Sequence, residues 1–270
     1  MKEYLVFEAG YYFFQKCEYH HKSIFKISLI FSISSVFNFI VVSAMSKAGH
    51  LQNVPIFSDL SSSDLKKISD KMVSRFYEKG KMILLEESQG ETFFIILSGV
   101  VKVTRLSDDG REVILAILGE SDFFGEMSLL DGEGRSANIV ATENSEVVTL
   151  SRRDFLDCLE KYPKIAIALL EELAIRLRKS DQHIESLSLS DSEQRIGVTL
   201  IRLAEELGTI KRGNVMLKAL PYQQDIANMA GTSRETVSRT LKLLEKKEFL
   251  KRDGRDLIIY NFDLFRQTFS

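Results

Sequence analysis

Between Phe123 and Ala137 the chain gathers residue types that suit a small phosphorylated ligand. Arg135 can fork two hydrogen bonds onto phosphate oxygens, and Ser136 can add a third. Glu126 is acceptor-only when ionised, so it suits sugar hydroxyls and not phosphate. Gly125 permits a turn that a Cβ would strain, which lets the backbone approach a ligand closely. Glu126, Met127 and Ser128 lead into Leu129-Leu130, and a short helix there would point its free N–H groups at an anion. Ala137 closes the stretch. Read together, Gly125, Glu126, Met127, Ser128, Arg135, Ser136 and Ala137 are candidate ligand contacts. The same residues also fit a surface turn carrying an Arg–Glu pair.

A second constellation runs from Pro221 to Arg239. Its pattern is a helix, a turn at Gly231 and a second helix, as in helix-turn-helix. Thr232 with Glu235 predicts a capping box for the second helix. Val237, Leu241 and Leu244 recur at i, i+4 and i+7 and face inward. Arg234, Glu235, Ser238 and Arg239 occupy the other face, near the helix N-terminus that such a helix presents to base edges. Arginine reads guanine O6 and N7, and glutamate accepts from cytosine N4. Gln223, Gln224, Thr232, Ser233 and Thr236 complete the candidate DNA contacts. A solvated charged face is the alternative. Local charge favours DNA: Lys211 to Arg255 holds 11 Lys/Arg against 5 Asp/Glu, a net +6 in a chain whose total is −2.

These groups need elements to hold them. Leu60 to Met72 reads as a helix capped by Ser61–Ser63, with Leu65, Ile68 and Met72 on one face. The period then switches to strands at 83–85, 92–97, 100–104, 113–118, 138–141 and 146–150, punctuated by Gly and Asp turns. Many short strands at this spacing argue for a barrel or jelly roll. Ser151 to Asp154 is a capping box opening a helix through Leu159, which Pro163 separates from a long helix. In that helix Ala166, Leu170, Leu173, Leu177, Ser180, Ile184 and Leu187 step by 4 and 3, a coiled-coil seam able to pair with its own copy. Ser180 is the polar residue of the seam and fits a register-setting role. Asp191 to Leu207 reads as a further helix ended by Gly208. Phe249-Leu250 and Leu257–Tyr260 read as a two-stranded wing, with Lys251, Arg252 and Arg255 near phosphate.

At 270 residues the chain has room for two ordinary domains with sizeable cores. Cys17 and Cys158 are far apart, and His20, His21, His50 and His183 show no ligand spacing, so no metal site is expected. No nucleophile–base pair suggests an enzyme. Residues 1–44 stand apart: they contain no Asp, Arg or Pro, and Ile27 to Met45 is uncharged. That composition, rich in residues of AT-rich codons, suggests translated upstream sequence with Met45 as the start. A membrane anchor, a signal peptide with a poor cleavage site at Ser43-Ala44-Met45 and a genuine extension remain alternatives.

The Phe123–Ala137 stretch resembles the phosphate-binding cassette of cyclic-nucleotide-binding domains. Together with the C-terminal third it resembles the CRP–FNR family of bacterial transcription regulators, from about Val54 onward. That resemblance implies an α+β fold: a β-roll, jelly-roll-like sensor over 48–163, a dimerisation helix over 164–190 and a winged helix-turn-helix over 191–270. It implies cAMP or another cyclic nucleotide as effector, with Glu126 on the ribose 2′-hydroxyl and Arg135 and Ser136 on the cyclic phosphate. In the catabolite-activator relatives a Thr on the long helix contacts the adenine and the Ser after it reaches the ligand of the other subunit; here the pair is Ser180-Asp181, and Asp181 can accept but cannot donate. Gly134 stands where many relatives carry Pro, which suggests a looser loop. The Arg234, Glu235, Arg239 pattern implies TGTGA half-sites read by a homodimer through helix 166–187. A cytoplasmic location follows, with RNA polymerase as a further candidate partner and a membrane role disfavoured. Alternatives are the same fold with a haem, redox or other trigger, and a membrane-anchored nucleotide sensor.

Overall fold

A computed structural model describes residues 47–269. The 1–44 extension and the reading of Met45 as the start lie outside the described residues. The chain begins with α1 (Lys47–Leu51), a 3-10 turn at Pro55–Phe57, and α2 (Ser62–Ser69). Ser61 caps α2 by accepting from the Asp64 N–H at 3.2 Å, as its serine run predicts.

Two antiparallel sheets follow. One contains β1 (Val73–Tyr77), β8 (Ser145–Ser151), β3 (Thr92–Ser98) and β6 (Phe123–Phe124) in that order. The other is β2 (Met82–Leu84), β7 (Asn138–Ala141), β4 (Val101–Leu106) and β5 (Glu112–Leu118). Side chains alternate along β3 because strand residues point to opposite faces. Phe94 and Ile96 face the second sheet, and Phe94 stacks on Phe124 of the neighbouring β6 at 4.9 Å. Phe93, Ile95 and Leu97 face a helical layer. That layer includes α4 (Arg152–Lys161), capped by Ser151, and the first turns of α5 (Pro163–Leu189), through Ile165 and Leu169. Between β6 and β7 sits α3 (Met127–Asp131).

The C-terminal module comprises α6 (Ser192–Leu207), β9 (Thr209–Lys211), β10 (Asn214–Leu217), α7 (Gln223–Ala230), α8 (Arg234–Lys246), β11 (Leu250–Asp253), β12 (Asp256–Ile259) and α9 (Phe262–Phe269). The expected two-stranded wing is thus half of a four-stranded sheet ordered β11-β12-β10-β9. Gly208 ends α6 as expected. Gly208 is extended (φ −82°, ψ 151°), not left-handed. It is needed for closeness: a Cβ there would collide with the Ala204 carbonyl and the Val215 side chain.

Candidate functional site

Gly125 has φ +82°, and a Cβ on it would lie 2.8 Å from the Arg135 guanidinium and 3.0 Å from the Thr92 carbonyl. The turn therefore admits Arg135 into the sheet edge. Arg135 is 5% exposed and donates from NH1 to Gly125 O and Ser128 Oγ, and from NH2 to Thr92 O, each at 2.8 Å. Its Nε is buried without a partner. Gly90 makes room for this cluster: a Cβ there would strike Ser128 and the guanidinium. The loop at Gly134 is held rather than loose. Arg135 N–H donates to Ser88 O at 3.0 Å, and Glu87 N–H donates to Arg135 O at 2.9 Å.

Glu126 is buried as well, and burial pushes its carboxyl above the ordinary range while Arg176 and Arg135 oppose the shift. Arg176 of α5 is the residue that sequence reasoning missed. Its NH1 donates to Glu126 at 3.2 Å, its NH2 to Phe123 O at 2.9 Å, and its Nε to Glu172 at 3.2 Å. It also lies 4.3 Å over the Phe123 ring. The available signal was only Glu172 and Arg176 at i, i+4, which on any helix reads as an exposed pair.

A cavity of about 640 Å³ opens over these groups, within the size range of small-molecule sites. Gly125, Glu126, Met127, Ser128, Arg135 and Ser136 line it. Ala137 and, across the cavity, Ser180 line it too. Met127 is exposed and accepts weakly from Ser136 Oγ at 3.6 Å. Asp181 is exposed and outside the lining. The residues present fit a ligand that carries an anion and hydroxyl groups: a buried arginine one acceptor short, a buried carboxylate, and apolar walls from Val103, Ile117 and Leu173.

On the C-terminal module, Ala227, Met229 and Val237 are fully buried and fix α7 against α8 across the left-handed turn at Gly231. The cap of α8 is Ser233, not Thr232: Ser233 Oγ accepts from the Thr236 N–H at 3.2 Å. Leaving Gly231 left-handed, the chain needs one more extended residue before it can turn into a helix, so the cap falls at Ser233. Arg234, Glu235 and Arg239 project into solvent, with Arg234 3.6 Å from Glu235 and Arg239 donating to Thr236 Oγ1 at 3.4 Å. Glu235 is held below the usual carboxylate range by its own backbone N–H and by Ser233, so it is an acceptor. Gln224 is exposed and bonds Asn228, while Gln223, Thr232 and Ser238 are half-buried. Of the three wing cations, Arg252 is tied to Glu245 and Arg255 to Leu220 O at 3.0 Å, leaving Lys251 exposed.

Comparison with known proteins agrees with this division. The cyclic nucleotide-binding domain profile matches residues 74–162, and the Crp-like helix-turn-helix profile matches 194–268. The chain is 34% identical over 197 residues to the cyclic AMP receptor protein of Thermus thermophilus, covering 73% of this chain and 88% of that one. It is 32% identical over 189 residues to the cAMP-activated global transcriptional regulator CRP of Pasteurella multocida, covering 70% and 90%. The solved structure of FixK2 from Bradyrhizobium japonicum superposes with a TM-score of 0.66 at 24% identity, over 74% of this chain and 98% of that one, a likeness of fold. Fold and site define an effector-responsive DNA-binding regulator. The chain belongs to the CRP–FNR family of bacterial transcription regulators, which are not enzymes.

Proposed function

We propose that the chain is a cyclic-nucleotide-responsive transcription regulator that binds cAMP and reads TGTGA-like palindromes as a homodimer in the cytoplasm. The observation that carries this reading is Arg176. It joins the buried Glu126 of the cassette to the long helix α5, so the ligand pocket and the dimer seam are one connected structure. Arg135 and Ser136 would hold the cyclic phosphate, Glu126 the ribose 2′-hydroxyl, and Ser180 the base, with Asp181 next to it on the helix. A ligand hydroxyl sharing Glu126 changes what Arg176 can pair with, and through it the setting of α5. The effector shifts the equilibrium only by binding the two settings differently.

The exposed stripe of α5 supports a homodimer. Leu170, Leu177 and Ile184 are 66%, 63% and 59% exposed, which leaves a row of large apolar side chains for a second copy to cover. Leu173 of the same expected seam instead packs half-buried on the sensor core. The two recognition helices would then lie one helical turn of DNA apart. Arg234, Glu235 and Arg239 would read base edges. Gln223, Gln224, Thr232, Ser233, Thr236 and Ser238 would flank them on backbone and sugar. RNA polymerase is a further partner consistent with a regulator bound at promoters. Fluorescence anisotropy of a TGTGA-palindrome duplex, at fixed salt with and without cAMP, tests the reading. Tight binding that requires cAMP is expected; indifference between palindrome and scrambled duplex in both conditions overturns it.

A further inference from the structure

The cavity does not end at the cassette and α5. It continues to Arg202 and Glu206 on α6, the first helix of the DNA-binding module, and to Lys179 and His183 on α5. Several contacts seat α6 there. Arg202 NH2 donates to Leu115 O on β5 at 3.1 Å, and its NH1 lies 3.3 Å from His183 Nδ1. Lys179 donates to Glu206 Oε1 at 3.4 Å. After these bonds, two atoms stay buried without a partner: Arg202 Nε, a donor, and Glu206 Oε2, an acceptor. Five buried side-chain polar atoms lack partners among the described residues, and three of them belong to residues lining this one cavity: Arg135, Arg202 and Glu206. Such groups are rare in folded proteins, and their concentration at one cavity points to a ligand that satisfies them.

We propose that Arg202 and Glu206 form the base-reading end of the effector site. Arg135 anchors the phosphate at one end of the cavity, and this donor–acceptor pair meets the base at the other. Glu206 Oε2 accepts a hydrogen from a purine exocyclic amino group, and Arg202 Nε donates to N7 on the same edge, an acceptor in adenine and hypoxanthine alike. The inference rests on the reading of the effector as a cyclic purine nucleotide, and it assigns base discrimination to the DNA-binding module itself. The effector would then touch both modules directly.

The test compares cAMP with cyclic inosine monophosphate, which carries a carbonyl where adenine carries the amino group, by calorimetric titration of the full chain. The wild type is expected to bind cAMP at least tenfold more tightly, because the inosine carbonyl faces an acceptor-only carboxylate. Glu206→Gln can donate to that carbonyl, so the preference should shrink to near parity or invert. Glu205→Gln, on the outer side of α6, should leave the ratio unchanged. An unchanged ratio in Glu206→Gln with cAMP still bound overturns the assignment and leaves the cassette reading intact. Binding of neither nucleotide by the wild type overturns both. Should Glu206→Gln fail to fold, equal affinity of the wild type for the two nucleotides overturns the assignment by itself.

Discussion

Arg239 and Glu126 illustrate two kinds of polar residue. Arg239 is exposed and lightly held, which leaves its fork available to a guanine edge. Arg239→Ala should weaken binding to the palindrome by about 1–3 kcal/mol and relax preference at one G·C pair. Competition with base-substituted duplexes checks it; an equal loss on random DNA would refute the assignment. Glu126 is the reverse case, buried beside Arg176 and Arg135 with Glu172 behind. Its folded pKa lies above its unfolded value because burial disfavours the charge. Between those two values the folded chain holds the extra proton, so this group's stabilisation is largest at low pH and is lost as pH rises through the folded pKa. A hydroxyl-accepting role needs the carboxylate, so cyclic nucleotide affinity should rise with pH over the same window. Titrations at several pH values should show that rise in wild type and its absence in Glu126→Gln. That Arg135, Glu126 and Ser136 belong to one site was suggested by residue type and by the family resemblance, and all three line one cavity. Arg176 was not legible, because its role depends on a carboxylate 50 residues away that only the packed fold brings within reach.

At the scale of elements, α5 has two faces with different obligations. Ile165 and Leu169 are buried in the sensor core, whereas Leu177 is 63% exposed. Leu177→Asp should therefore leave the monomer fold and its circular dichroism intact. In the proposed dimer it removes two leucines, each worth about 1.5–3 kcal/mol when buried, so sedimentation of wild type should show a dimer and that of the variant a monomer at the same concentration. The elements found in advance share one trait: a strong local period. Strands β3, β5, β7 and β8, helix α5 and the α7–α8 pair all carry it. The missed strands do not. β1 reads Val73-Ser74-Arg75-Phe76-Tyr77, with no residue fully buried, and exists because β8 pairs with it. β9 is three exposed residues that β10 holds in register. For α9 a signal was present, since Phe262, Phe265 and Phe269 recur at helical spacing and all three are buried. The capping box expected at Thr232 falls instead at Ser233, because of the turn geometry at Gly231.

Across the whole molecule, polar contacts fasten the DNA-binding module to the sensor. Lys102 on β4 donates to Glu112 at 2.7 Å and to Asp225 on α7 at 3.2 Å, and Asn228 donates to Glu112 at 3.2 Å. Lys102→Met would leave Glu112 and Asp225 facing each other without a cation, a loss of about 1–2 kcal/mol for partly exposed groups. Amide exchange along α7 should accelerate by about tenfold, while exchange in β3 and β8, in the far sheet, stays unchanged. A uniform acceleration over the chain would instead mean that global stability had fallen.

Ile114 and Ile117 of β5 belong to the same apolar cluster as Leu200, Ile226 and Leu241 of the C-terminal module. The border between the two matched profiles therefore runs through a shared core and not through a hinge. The modules of this chain are not interchangeable parts. A chimera that keeps this sensor but takes another reader would bare two isoleucines, and one that keeps this reader would miss them. Calorimetry should record a single melting transition for the intact chain. A graft should recover that behaviour only when the β4–β5 hairpin travels with the DNA-binding module.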